Sequence, residues 1–166
     1  MLWISFIVIF SYLIFVVAKF GISKSISDTY YLLGRCGWLF QLALGLTAFT
    51  AVPGIIDASS ENTQFLAFLG CAGLAFVSAA PLFKMDLEGK VHFTSAYICC
   101  GSLALWQIFN TSWLVPMACL ALVGIPMIKD KKYMWWLEIA TIVSTYASLF
   151  FFKVINKSSN CVNNLR

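Results

Sequence analysis

Charged residues are scarce in this chain. Only 11% of its 166 residues are Asp, Glu, Lys or Arg, and 61% are hydrophobic, whereas soluble domains carry about 25% charge. That excludes an ordinary water-soluble domain, because too few polar side chains are present to clothe the apolar ones. Histidine occurs once, at His92, so bis-histidine haem ligation and multi-histidine zinc sites cannot be built within one chain. Cys36, Cys71, Cys99, Cys100, Cys119 and Cys161 show no metal-ligand spacing. They read as small apolar residues, and the adjacent Cys99 and Cys100 project from different helix faces. No metal and no cofactor is expected. A glycine-rich phosphate loop, a Gly-x-Ser-x-Gly elbow and a His-Glu-x-x-His motif are all missing, which removes the commonest nucleotide-binding, esterase and metalloprotease signatures. The net charge of +4 calls for no nucleic-acid partner, since basic connections between membrane segments account for it.

What the chain has instead is apolar length. Runs at about 2–20, 34–56, 63–83, 91–109, 112–128 and 134–152 are joined by short polar or charged connections. A bilayer core roughly 30 Å thick needs about 20 helical residues per crossing. The runs are continuous, without the alternation of barrel strands, and a helix pairs its backbone groups within the segment. The expectation is an all-α, polytopic transmembrane helical bundle of about six spans. It forms one domain over residues 1–153, followed by a short polar tail over 154–166. The first run has no basic stretch before it and no small-residue cleavage pattern after it, so it reads as an uncleaved helix. Eight of the eleven basic residues, from Lys19 to Lys132, lie on the odd-numbered connections. Retention of basic residues in the cytoplasm then predicts a multi-pass cell-membrane protein with its N-terminus outside. Lys153, Lys157 and Arg166 fall in the tail, which six spans place outside.

Three patterns concern helix packing. Ala67, Cys71, Ala75 and Ala79 recur every four residues along the third run, a smooth stripe suited to close approach by a neighbour. In the fourth run His92, Ser95, Cys99 and Ser102 follow i, i+3, i+7, i+10, and Glu138, Thr141, Thr145 and Ser148 repeat that spacing in the sixth. Each set forms one stripe on a helix. If the two helices are neighbours, Ser95, Ser102, Thr141, Thr145 and Ser148 line a polar seam that binds a ligand.

Glu138 is the carboxylate inside a span, where an acid is a functional candidate unless it sits at headgroup depth paired with Lys131 or Lys132. His92 is a candidate general base or proton carrier, or a histidine that hydrogen-bonds a neighbour. Ser27 and Asp28 read as N-caps of the following helix. Asp28 lies on the same expected side as His92 and Glu138, so a polar cluster at the cytoplasmic mouth is an expectation as well. Asn110-Thr111-Ser112 matches a glycosylation sequon but lies too close to the membrane to favour modification.

The Ser27-Asp28 pair after the first run, with His92 near the start of a later one, resembles the arrangement in the superfamily of alkaline ceramidases and adipoQ receptors and its short bacterial relatives. The resemblance implies a membrane-embedded hydrolase in which a Ser, an Asp and three His hold zinc and activate water. Only Ser27, Asp28 and His92 carry over. The other histidines are absent, and six runs stand where that superfamily has seven.

Three functions follow as expectations. The first is binding or movement of a small solute, proton or lipid through the seam between the fourth and sixth helices. The second is a lipid-acting hydrolase at the cytoplasmic face, with His92 as base oriented by Asp28 or Glu138. The third is a structural, regulatory or membrane-perturbing subunit. The expected partners are the bilayer, a small solute or lipid, and a second copy of the chain in a homo-oligomer.

Overall fold

Every apolar run folds as a helix, the local solution that leaves no backbone group unpaired away from its ends. In the computed structural model, which describes the backbone of residues 1–163 and the side chains of residues 1–152, the order is α1 Leu2–Phe20, α2 Thr29–Leu33, α3 Trp38–Asp57, α4 Gln64–Ala79, α5 Asp86–Asn110, α6 Leu114–Asp130 and α7 Tyr133–Asn163. Boundaries move for identifiable reasons. Gly34, at φ +54, and the 3-10 turn Gly34–Cys36 break the second run, so α3 starts later than the apolar composition does. The third run stops before Pro81, which has no N–H to continue the ladder. Asp86 and Glu88 occupy the first turn of α5, where acidic side chains complement the helix dipole. α7 continues past residue 153, where the helical domain was expected to end, to Asn163. The side chains of Lys153, Lys157, Cys161 and Arg166 lie outside the described residues.

Four of these segments are long and apolar enough to cross a membrane: Leu2–Phe20, Trp38–Asp57, Glu61–Ala79 and Tyr133–Phe152. α5 is diluted by His92, Ser95, Ser102 and Gln107, and α6 has only 17 residues, so the expected six crossings are not all matched by six segments of that kind.

Five helices form a ring in the order α1, α3, α4, α5, α7. The last gap, between α7 and α1, is closed by large side chains. Trp3 packs on Phe150 with ring centroids 4.8 Å apart, and Phe6 meets Tyr146 edge-on at 5.4 Å. Ser5 donates to the Thr47 carbonyl at 3.2 Å and shares a second hydrogen bond with Tyr146. A hydroxyl has one proton, so Tyr146 donates in that second bond, and α1, α3 and α7 are tied at one point. α6 packs against α7 on the outside, and none of its residues is buried.

α4 is central, lying between α3 and α5, but not by way of the whole expected stripe. Ala67 and Cys71 are buried while Ala75 is partly covered and Ala79 exposed. A four-residue repeat drifts about 40° per step on a 3.6-residue helix, so its far end rotates out of the contact. Gly70 and Gly73 make the approach instead. A Cβ on Gly73 would stand 2.8 Å from both the Cys99 nitrogen and the Ser95 carbonyl oxygen.

At one end of the ring α5 fastens the α3–α4 connection. Asn110 Oδ1 accepts hydrogen bonds from the Ser60 amide and the Thr63 hydroxyl, each at 2.8 Å, and Trp106 Nε1 donates to Ser59 Oγ at 2.7 Å. Asn110→Ala removes this shared acceptor; because Ser60 is exposed and the Thr63 hydroxyl still reaches the Ser60 carbonyl at 3.0 Å, unfolding stability is expected to fall by about 0.5–1 kcal/mol. Thermal unfolding in detergent checks this, and an unchanged midpoint contradicts it.

Candidate functional site: a cavity closed by the α1–α2 connection

At the opposite end the connection from Gly21 to Asp28 folds back across the ring. Gly21 turns the chain at φ +71, where a side chain would be strained. The segment is then held from two sides. On α7 and just before it, Lys132 Nζ donates to the Ile22 carbonyl at 2.5 Å and the Trp135 amide donates to the Lys24 carbonyl at 3.1 Å. Glu138 Oε2 accepts from the Ile26 amide at 2.6 Å. The Trp135 amide belongs to the first turn of α7, which has no partner within its own helix. On the other side Ser27 Oγ is 2.9 Å from His92 Nε2, and His92 Nδ1 is 2.8 Å from the Ala80 carbonyl. Ile26, Ser27 and His92 are all buried.

Because Ser27 is committed to His92, the expected caps of α2 do not form. Asp28 occupies the N-cap position without a side-chain bond. The Asp28 amide donates to Ser25 Oγ at 3.1 Å. Neither carboxylate orients His92. The Ala80 carbonyl does so, while Glu138 is bonded to backbone rather than to Lys131 or Lys132.

Beneath this connection the ring forms a partly open cavity of about 110 Å³. Its wall is mostly apolar and draws on α1, α3, α4, α5 and α7, with Ile26 and Ser27 contributed by the connection. Of the two expected stripes, Cys99, Glu138, Thr141 and Thr145 line it. Ser148 is buried and donates to Gln107 Oε1 at 3.5 Å. Ser95 and Ser102 are buried but are not part of the wall, and the Ser95 carbonyl lies against Gly73 of α4. α5 turns Ala96, Cys99, Cys100 and Leu103 to the cavity, with Cys99 at the edge of that strip and Ser95 and Ser102 further around the helix. The serines of the α5 stripe therefore serve the α4 contact, and that stripe reaches the cavity through Cys99 alone, whereas the α7 stripe reaches it through Glu138, Thr141 and Thr145. His92 stands behind Ser27 and does not line the space, and Asp28 is partly buried outside it.

Three participants went unnoticed in the sequence. Gln107, only 1% exposed, donates to Thr145 Oγ1 at 3.2 Å and bridges α5 to α7. An amide within an apolar run is as anomalous as Glu138, and that was the available signal. Tyr146, on the cavity wall, looked like one aromatic among many. Thr47, also on the wall, has a buried hydroxyl with no hydrogen-bond partner, and a mid-run threonine gives no warning of this. An unpaired buried hydroxyl is costly, so the near-isosteric Thr47→Val is expected to raise unfolding stability by about 1 kcal/mol. A lowered denaturation midpoint contradicts this.

The donors suggested by the resemblance do not make a zinc site. Both His92 nitrogens already have hydrogen-bond partners. Among the described residues no three His, Cys, Asp or Glu side chains are grouped to hold an ion. Zinc does not fit this arrangement. No family model, curated protein or solved structure matches the chain.

Proposed function

We propose that the protein is a multi-pass membrane protein that binds a small amphipathic molecule or lipid segment inside its helix ring. The apolar part occupies the cavity and the polar end faces Glu138 and Ser27. The carrying observation is a partly open, largely apolar space within the helix ring, with a carboxylate at the end covered by the α1–α2 connection. A cavity of about 150 Å³ accommodates benzene, so a space of about 110 Å³ suits a short alkyl group.

Membrane insertion is supported by where the two kinds of side chain go. Phe49, Phe68, Leu122 and Ile125 are each more than 60% exposed, an arrangement that lipid tolerates and water does not. His92 and Gln107 are turned inward and hydrogen-bonded, as polar groups in a bilayer must be. In this reading all six long helices cross, α5 with its polar flank covered by α4. The 17 residues of α6 reach about 25 Å, which slight local thinning of the bilayer accommodates. The N-terminus lies outside the cell membrane, and Lys24, Lys84 and Lys131 face the cytoplasm.

A photoreactive alkyl diazirine alcohol, applied to the protein in nanodiscs and mapped by mass spectrometry, tests the binding. Adducts are expected on cavity residues of α5 and α7, and Ala96→Phe, which fills the space, is expected to abolish them. Adducts confined to lipid-facing side chains and unaffected by Ala96→Phe contradict the proposal and leave the helices a purely structural role.

A further inference from the structure

The hydrogen bonds of His92 define its protonation, and with it the character of Ser27. A carbonyl oxygen can only accept, so Nδ1, 2.8 Å from the Ala80 carbonyl, carries the ring proton. Nε2 is then a bare acceptor, and the hydrogen of the 2.9 Å contact belongs to Ser27 Oγ. The ring is held by backbone at one nitrogen and takes a hydroxyl proton at the other, which is the relation between a general base and the nucleophile it activates. Ser27 is also the member of this pair that lines the cavity. The many other hydroxyls of the ring differ. Thr145 donates to the Thr141 carbonyl, Ser144 to the same carbonyl, and Ser148 to Gln107. None of these donates to a base.

We infer that Ser27 is a nucleophile activated by His92, and that the site takes a carboxylic ester whose short acyl chain lodges in the cavity. This rests on the cavity-binding reading and names the substrate class for that site. In the forward step Ser27 Oγ bonds to the ester carbonyl carbon while its proton passes to His92 Nε2. The ester carbon–oxygen bond then breaks, and the leaving alcohol oxygen takes that proton from Nε2. Water, deprotonated by the same nitrogen, attacks the acyl-serine carbonyl and releases the carboxylic acid, and the proton returns to Ser27. Nδ1 keeps its proton and its bond to Ala80 throughout, holding the ring in place while it is positively charged.

The test uses the full chain in detergent with a short-chain alkyl fluorophosphonate, followed by peptide mass spectrometry. Ser27 Oγ would bond to phosphorus, fluoride would leave, and the proton would go to His92. The expected result is one adduct at Ser27, with none at Ser102 or Ser148, and its loss in Ser27→Ala. His92→Gln, shown to be folded by its unfolding transition, is expected to slow labelling at least about a hundredfold, the scale of general-base assistance. An unlabelled Ser27 in the wild-type protein overturns the inference, with or without a folded His92 variant, as does equal labelling in folded His92→Gln. Diazirine adducts in the cavity alongside an unlabelled Ser27 leave the binding reading standing and remove only the nucleophile. Failure of both probes removes both.

Discussion

Gly73→Ala is expected to destabilise the protein by about 3 kcal/mol, the upper part of the usual range for overpacking. The added carbon would stand 2.8 Å from the backbone of α5 at Ser95 and at Cys99. Backbone cannot swing aside as the end of a side chain can, so α4 and α5 must separate and their shared contacts loosen together. Gly101 supplies the control. It too is helical, but nothing lies within 4 Å of its Cβ position, so Gly101→Ala is expected to be neutral or to stabilise by up to about 1 kcal/mol through helix propensity alone. Unfolding in detergent micelles separates the two, and similar shifts for both variants would show that α4 and α5 are not packed through Gly73.

Glu138→Ala is expected to release the α1–α2 connection from the ring. The carboxylate accepts the Ile26 amide at 2.6 Å, and Ile26 is buried, so truncation leaves a buried donor without a partner at a cost of about 1–3 kcal/mol. Glu138→Gln retains a carbonyl oxygen at the same reach and is expected to cost less than about 1 kcal/mol, because the bond requires an acceptor and not a charge. Hydrogen–deuterium exchange over residues 22–28 makes the comparison directly. Faster exchange in Glu138→Ala, with Glu138→Gln near wild type, is the expected outcome. Equal acceleration in both would assign Glu138 a role that depends on its charge.

Helical class was legible because apolar runs of this length have one local solution, and every run is indeed a helix. The order of helices around the ring was not, since it is decided by which side chains interlock. The α1–α7 closure depends on Trp3, Phe6, Tyr146 and Phe150, whose aromatic character reads equally well as a belt at the headgroups. A cluster of Asp28, His92 and Glu138 at one end is the expectation from the direction of each run; the α1–α2 connection does join His92 and Glu138, but through Ser27 and the Ile26 amide, and Asp28 takes no part. The seam could not be anticipated, because stripe spacing identifies a face without saying which neighbour it meets. α5 gives its serine face to α4, where Gly73 admits it, and turns Ala96, Cys99, Cys100 and Leu103 to the cavity.

Ligand binding in the ring and chemistry at Ser27 both require a bundle that crosses a bilayer with the α1–α2 connection on the cytoplasmic side. An impermeant amine-reactive reagent applied to intact cells and then to permeabilised ones, with modified lysines located by mass spectrometry, tests this most directly. Lys24 and Lys131 are exposed on the protein, and Asn62 is exposed on the α3–α4 connection. Lys24 and Lys131 are predicted to stay unmodified until the cells are permeabilised, while the new lysine in Asn62→Lys is predicted to react from outside. Modification of Lys24 in intact cells, or a protein that remains dispersed without detergent, would contradict the account.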